Sequence, residues 1–189
     1  MVELKSIERI TNNVLRHFNN VMKSNGIEYI LFAGTCLGFY RDKGYITKDT
    51  DIDIIIKFES DEQINKIIQI MTKNEFILSL KNPMTNELVL KKYGDVYSNL
   101  NFHHINYILI DIFFAYEIDE YYYVNNKWRF KKQLISELDY LRYNGILFKV
   151  PKNIEEYLDN IYIDWKTPTI RENCKDKNEW KGHRTWEIK

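Results

Sequence analysis

The sequence is poor in cysteine, in surplus charge of either sign and in long apolar runs, and each shortage removes a class of protein. Cys36 and Cys174 are the only cysteines, far apart and without a CxxC spacing. They supply neither a zinc site nor a disulfide scaffold, and read as free thiols of a reducing cytoplasm. Lys plus Arg number 27, as do Asp plus Glu, so the formal net charge is zero. A protein that grips DNA or RNA through its phosphates carries a basic excess, so a polymeric nucleic-acid partner is not expected. A small nucleotide stays compatible, since it needs only a few local cations and a metal. The apolar stretches at 29–40 and 105–116 are too short to span a bilayer, and the second contains Asp111. The first ten residues mix Glu3, Lys5, Glu8 and Arg9 with isolated apolar positions, unlike a secretory signal. A cytoplasmic location without a transmembrane segment is the expectation; peripheral contact with a membrane surface is left open. No internal repeat, low-complexity tract or linker interrupts the chain.

What remains is a globular composition, 44% hydrophobic and 29% charged over 189 residues, enough to build one core. Apolar residues recur at helical spacing over 4–24, and Asn25-Gly26 supplies a stop. A short apolar run at 29–33 predicts a buried strand ending at Gly34-Thr35, with a short helix over 37–41. The β-branched run at 51–58 predicts a central strand, and Ser60 a cap for a helix over 61–73. Further strands are expected at 76–80, 87–92, 107–114 and 146–150, with a hairpin over 121–128 turning at Asn125-Asn126. Asn153 is placed as the cap of a helix over 154–161. The fold class is therefore mixed α/β (α+β): one domain over 1–168, followed by a polar tail at 169–189.

Three carboxylates carry the chemical argument. Side chains alternate along a strand, so Asp51 and Asp53 face one way while Ile52, Ile54 and Ile56 face the other. Two adjacent carboxylates repel each other, and a divalent cation removes the conflict; oxygen ligands of this kind suit Mg²⁺ or Mn²⁺. Asp111 stands inside Ile108-Leu109-Ile110-Asp111-Ile112-Phe113-Phe114, where a lone carboxylate costs several kcal/mol unless it is paired or metal-bound. If that strand lies beside the 51–58 strand, Asp51, Asp53 and Asp111 converge on one metal site suited to phosphoryl transfer. Gly34 and Thr35 would let backbone amides approach a donor's phosphates, and Arg41 would fork onto phosphate oxygens. A DxD pair also serves sugar-nucleotide glycosyltransferases and aspartyl-phosphate phosphatases, but there it ends an apolar strand. Here the apolar run follows the pair, which disfavours both. His103 and His104 precede the Asp111 strand and are expected in loop or surface roles. Tyr121-Tyr122-Tyr123 raises the thought of an aromatic cage for a choline cation, against the simpler reading of hairpin packing.

In order along the chain, Gly34-Thr35-Cys36-Leu37-Gly38-Phe39-Tyr40-Arg41, Gly44-Tyr45-Ile46, Asp49-Thr50-Asp51-Ile52-Asp53, Ile110-Asp111-Ile112-Phe113, Val150-Pro151 and Tyr162-Ile163-Asp164-Trp165-Lys166-Thr167-Pro168 resemble the motifs of the LicD family, fukutin-related members of the nucleotidyltransferase superfamily. The resemblance implies a nucleotidyltransferase fold, a mixed β-sheet flanked by helices. It implies transfer of phosphocholine or a similar phospho-alcohol from a CDP-linked donor, such as CDP-choline, to a glycan hydroxyl. It also implies Asp51, Asp53 and Asp111 as metal ligands and Gly34, Thr35 and Arg41 as donor-phosphate contacts. Two other readings stay open: an enzyme of the same fold that places NMP from an NTP on a small molecule or protein, and a non-catalytic nucleotide-binding module.

Overall fold

The computed structural model describes residues 2–46, 49, 51–125 and 127–168. The polar tail expected over 169–189, with Cys174, lies outside the described residues, as do Thr50 of the carboxylate motif and Asn126 of the expected hairpin. The elements run α1 (Val2–Ser24), β1 (Ile30–Leu31), α2 (Ala33–Leu37), a π-helical turn (Gly38–Asp42), β2 (Asp51–Lys57), α3 (Asp61–Lys73), β3 (Phe76–Pro83), α4 (Glu87–Tyr93), β4 (Tyr97–His104), β5 (Leu109–Ile118), β6 (Tyr121–Val124), β7 (Trp128–Lys131), α5 (Lys132–Ser136), β8 (Leu138–Tyr143), β9 (Ile146–Pro151) and α6 (Ile154–Ile161).

One sheet orders its strands β1-β2-β5-β4-β3, with β6 extending from β5 and β7 from β6; β8 and β9 form a separate ribbon. β2 and β5 are parallel and their other neighbours antiparallel, so this is a mixed sheet. The two faces differ in chemistry. Ile52, Ile54, Ile110, Ile112, Leu100 and Phe102 are fully buried. Their side of the sheet lies under α1, whose Phe18 meets Phe76 edge-on at 6.1 Å between ring centroids. The opposite side carries Asp51, Asp53, Asp111, Asn99 and Asn101 at one end. Beyond them an aromatic wedge fills the space: Phe32 packs on Phe113 at 5.1 Å and on Trp128 at 4.9 Å, and Phe130 stacks on Tyr157 at 5.5 Å.

Several expectations required correction. Residues 87–92 form α4, not a strand. Asn86 accepts hydrogen bonds from the amides of Leu88 (3.1 Å) and Val89 (3.3 Å), so a cap overrides the β-branched look of the run. β4 was unforeseen because Asn99 and Asn101 depress its strand propensity. His103 and His104 accordingly lie on that strand, with His104 buried in the core and His103 exposed. The first strand is only Ile30–Leu31, and the helix after it begins at Ala33, before Gly34-Thr35 rather than after. Asn153 occupies the cap position of α6, but its side chain makes no capping bond; its carbonyl accepts from the Tyr157 amide at 3.0 Å. Ser60 does cap α3, accepting from the Gln63 amide at 3.3 Å. Tyr122 and Tyr123 are buried and Tyr121 lies under the Arg129 guanidinium at 4.4 Å, so the tyrosine run is hairpin packing.

Gly38 explains why the motif after α2 cannot carry a side chain. A Cβ there would meet the Gly44 carbonyl oxygen at 2.6 Å and the Ile46 amide at 3.0 Å, both backbone atoms with no way to swing aside. Gly38→Ala should destabilise the protein by about 1–3 kcal/mol, as other overpacked sites do; a urea titration with an unmoved midpoint would contradict this packing.

Candidate active site

Asp51 and Asp53 open β2 and Asp111 lies near the start of β5; Asp53 and Asp111 are directly opposed in the parallel register. Each of the three carboxylates offers an oxygen within 4.8 Å of the other two. The sequence thus folds locally so that two largely apolar strands present Asp51, Asp53 and Asp111 side by side at one end of the sheet. Asp53 is 7% exposed. Its backbone is anchored twice: its amide donates to Thr35 Oγ1 at 2.9 Å, and its carbonyl accepts from the Phe32 amide at 3.0 Å. Thr35 is therefore tied to the carboxylate strand through its oxygen, and keeps its own hydroxyl proton to donate elsewhere.

The electrostatics fit a missing positive charge. Asp51 Oδ1 is buried and has no hydrogen-bond donor. Asp111 titrates at about 6, pushed up first by burial and further by Asp51, while the Asn101 amide and His103 pull it partly back. No lysine or arginine pairs with it among the described residues; its hydrogen-bond partner is the Asn101 carboxamide. Three acids packed around an unpartnered oxygen are a donor set of the hard, all-oxygen kind that divalent cations such as Mg²⁺ or Mn²⁺ accept.

The turn above the acids is strained and crowded. Ala33, at φ 38°, is a non-glycine residue in the left-handed region, and its cost of order 1 kcal/mol is sustained by burial on all sides. Next to it, a Cβ added to Gly34 would overlap Asp49 Oδ2, so that the Asp49 side chain would have to swing away, and would touch Asp53 Oδ2 at 3.5 Å. Asp49 is thereby a fourth acid at the rim, one to which sequence reasoning assigned no role. Arg41 sits in the π-helical turn. Its Nε and Nη2 pair with the two oxygens of Asp42 at 2.7 Å each, and Nη1 donates to the Trp165 carbonyl at 2.9 Å. Tyr40 donates to Glu155 at 2.9 Å, and Trp165 Nε1 to Asp159 at 2.9 Å. The closing motif thus buttresses the turn that carries the glycine motif.

A second cluster, His17, Glu75 and His104, gathers under the opposite side of the sheet. His104 Nδ1 accepts the Asn106 amide at 3.1 Å, so in the neutral ring the proton sits on Nε2, which then has no lone pair for a cation. His17 Nε2 donates to the Asn74 carbonyl at 3.0 Å. These imidazoles brace the turn before β3. A cavity of about 420 Å³ lies toward Lys57 and Lys149 at the far end of β2, another of about 710 Å³ lies between Asn19, Tyr29 and Lys149, and none of the three acids lines either. A groove of about 500 Å³ does reach Asp111.

A mixed sheet with clustered acids at the head of two parallel strands beside a helix-opening glycine is the nucleotidyltransferase-like fold. Solved structures agree at the level of fold. The crystal structure of ANT(2″)-Ia in complex with adenylyl-2″-tobramycin superposes with a TM-score of 0.50 at 13% identity, covering 78% of this chain and 74% of its own. The lincosamide antibiotic adenylyltransferase LnuA, bound to lincomycin, gives 0.52 at 14% identity, covering 79% and 85%. No curated protein is a significant match by sequence. The profile of the LicD/FKTN/FKRP nucleotidyltransferase domain matches residues 26–153, most of the chain. The chain belongs to that family, and is a transferase by that membership. No helix among the described residues is long and apolar enough to cross a membrane.

The raised Asp111 value sets a pH test. Because its folded value of about 6 lies above the ordinary 3.8, ionising it works against folding: the favourable contribution is complete in acid and is lost as pH rises through 6. A cation that binds only the ionised form reverses the loss. Mg²⁺ or Mn²⁺ should raise the melting temperature at pH 8 and scarcely at pH 5. Asp111→Asn should raise the metal-free melting temperature at pH 8 and abolish the metal response. Equal metal shifts at both pH values would rule this out.

Proposed function

We propose that this transferase moves a phospho-alcohol group, phosphocholine-like, from a CDP-linked donor to a hydroxyl of a glycan or small acceptor. The observation that supports it is the convergence of Asp51, Asp53 and Asp111 beside Gly34, in a chain of the LicD family. A divalent cation, Mg²⁺ or Mn²⁺, held among these three carboxylates would offset their repulsion and the charge of the donor's phosphates.

The chain's own residues account for the rest. Asp111, which lines the groove beside the site, is the carboxylate placed to take the acceptor's proton. One of its oxygens, Oδ1, is held by the Asn101 amide, leaving Oδ2 to face the acceptor hydroxyl. The acceptor oxygen gives its proton to Asp111 and forms a bond to the phosphorus; the bond to the nucleoside monophosphate breaks in line behind it. Gly34 keeps the approach to the donor free of a side chain, and the Thr35 hydroxyl donates toward a phosphate oxygen. Arg41 contacts the donor phosphates by exchanging the forked pairing it makes with Asp42 for the same pairing with phosphate.

The alternative on this site is transfer of the nucleotide itself, NMP from an NTP, to a small molecule or protein. CDP-choline labelled in the choline, and ATP and CTP labelled at the α-phosphate, separate the two by which label reaches the acceptor. Choline label should be transferred. Nucleotide label transferred instead selects the alternative, and nucleotide binding with neither transfer nor metal dependence indicates a binding module. Asp111→Asn should lower turnover at least about 100-fold with no loss of folding stability; wild-type rates in that variant would remove Asp111 from the mechanism.

A further inference from the structure

The groove that reaches Asp111 runs along the side of β5 away from β2, so it approaches the acids from the opposite direction to Gly34 and the turn above it. Its polar wall is a row of carboxamides. Asn82 Nδ2 donates to Asn101 Oδ1 at 2.7 Å, Asn99 Nδ2 to the same oxygen at 3.4 Å, and Asn101 Nδ2 to Asp111. Ser98, itself buried, donates to Asn99 Oδ1 at 3.0 Å. A half-buried sheet face is cheapest when apolar, and asparagine is among the residues strands favour least. Three of them, on two neighbouring strands and joined to a carboxylate, form a hydrogen-bonding surface that packing alone does not require.

We propose that this groove, walled by Asn82, Asn99 and Asn101, binds vicinal hydroxyls of a neutral sugar or polyol and brings one of them to Asp111. The assignment rests on Asp111 belonging to a transfer site. The chemistry of the wall selects the ligand class. Among the described residues no lysine, arginine or histidine lines the groove, so these supply none of the cations that hold a phosphate. Phe113 is the one aromatic among the described residues that line it, too few for the several ring faces that enclose a quaternary ammonium. Carboxamides each carry donors and acceptors a short distance apart, the pairing that adjacent hydroxyls present in return. A phenyl face beside them suits the C–H side of a sugar ring. Two sources carry this chemistry, the acceptor and the ribose of the donor.

Side-chain amide resonances of the asparagine-labelled full chain, recorded with Mg²⁺, test the assignment. The probes are methyl glycosides, linear polyols, cytidine, 2′,3′-dideoxycytidine, inorganic phosphate and choline. Signals of Asn82 and Asn101 should shift saturably with a vicinal-diol probe and stay in place with dideoxycytidine, phosphate and choline. A response to glycosides or polyols assigns the groove to the acceptor, and a response to cytidine alone assigns it to the donor ribose; either supports the diol site. Asn82→Leu should weaken the responding probe about fivefold or more, the scale of one lost hydrogen bond, and the isosteric Asn82→Asp should do the same. Signals unmoved by every diol, or moved as far by phosphate or choline, overturn it. Binding and transfer are read separately. Diol binding without label transfer removes the catalytic reading but leaves the groove, whereas label transfer undiminished in Asn82→Leu removes the groove and leaves the catalytic reading.

Discussion

The parallel pairing of β2 with β5 holds everything else in place, because it sets Asp53 opposite Asp111 and brings Asp51 to the same end. Backbone hydrogen bonds between two strands that are apolar through their middles bear the repulsion of the carboxylates. The neighbouring isoleucines, buried on the other face, lock the register: a slip of one residue would turn the acids into hydrocarbon and the isoleucines toward the groove. The site is thus enforced by the core rather than by contacts among its own members, which is what three like charges require.

The second constraint is the strand-to-helix turn. Ala33 in the left-handed region and Gly34 against Asp49 and Asp53 leave almost no slack where the chain passes over the acids. That tension is contained from below by Phe32 in its aromatic wedge and from the side by α6 and the Trp165 segment, tied in through Tyr40 and Arg41. Motifs that lie far apart in the chain are neighbours here because the first needs the last as a brace.

Much of this was readable in advance, for physical reasons that differ by element. The acids stood out because a carboxylate inside an apolar strand demands compensation, and the β-branched run of β2 and the capped α3 announced themselves by period and by Ser60. α4 was misread because Leu88-Val89-Leu90 looks like strand while its helical character resides in the preceding Asn86. β4 was missed because its outward positions are the asparagines that form the groove, so the residues of greatest interest were those that hid their own strand. β8 and its hairpin with β9 went unpredicted although Asn144-Gly145, both at positive φ, is the dipeptide that such a turn favours. Asp49 stood in the motif without a role of its own, since nothing local distinguishes it from a loop acid; only its proximity to Gly34 does.

The contact between Asn101 and Asp111 also gives the amide row a direction. An ionised carboxylate accepts hydrogen bonds and donates none, so the Asn101 carboxamide must present its nitrogen to Asp111 and its oxygen to Asn82 and Asn99. Rotating any one amide by half a turn would set oxygen against oxygen further along. A single negative charge at one end therefore imposes a vectorial order on groups that have no orientation of their own, and whatever enters meets a fixed sequence of donors and acceptors.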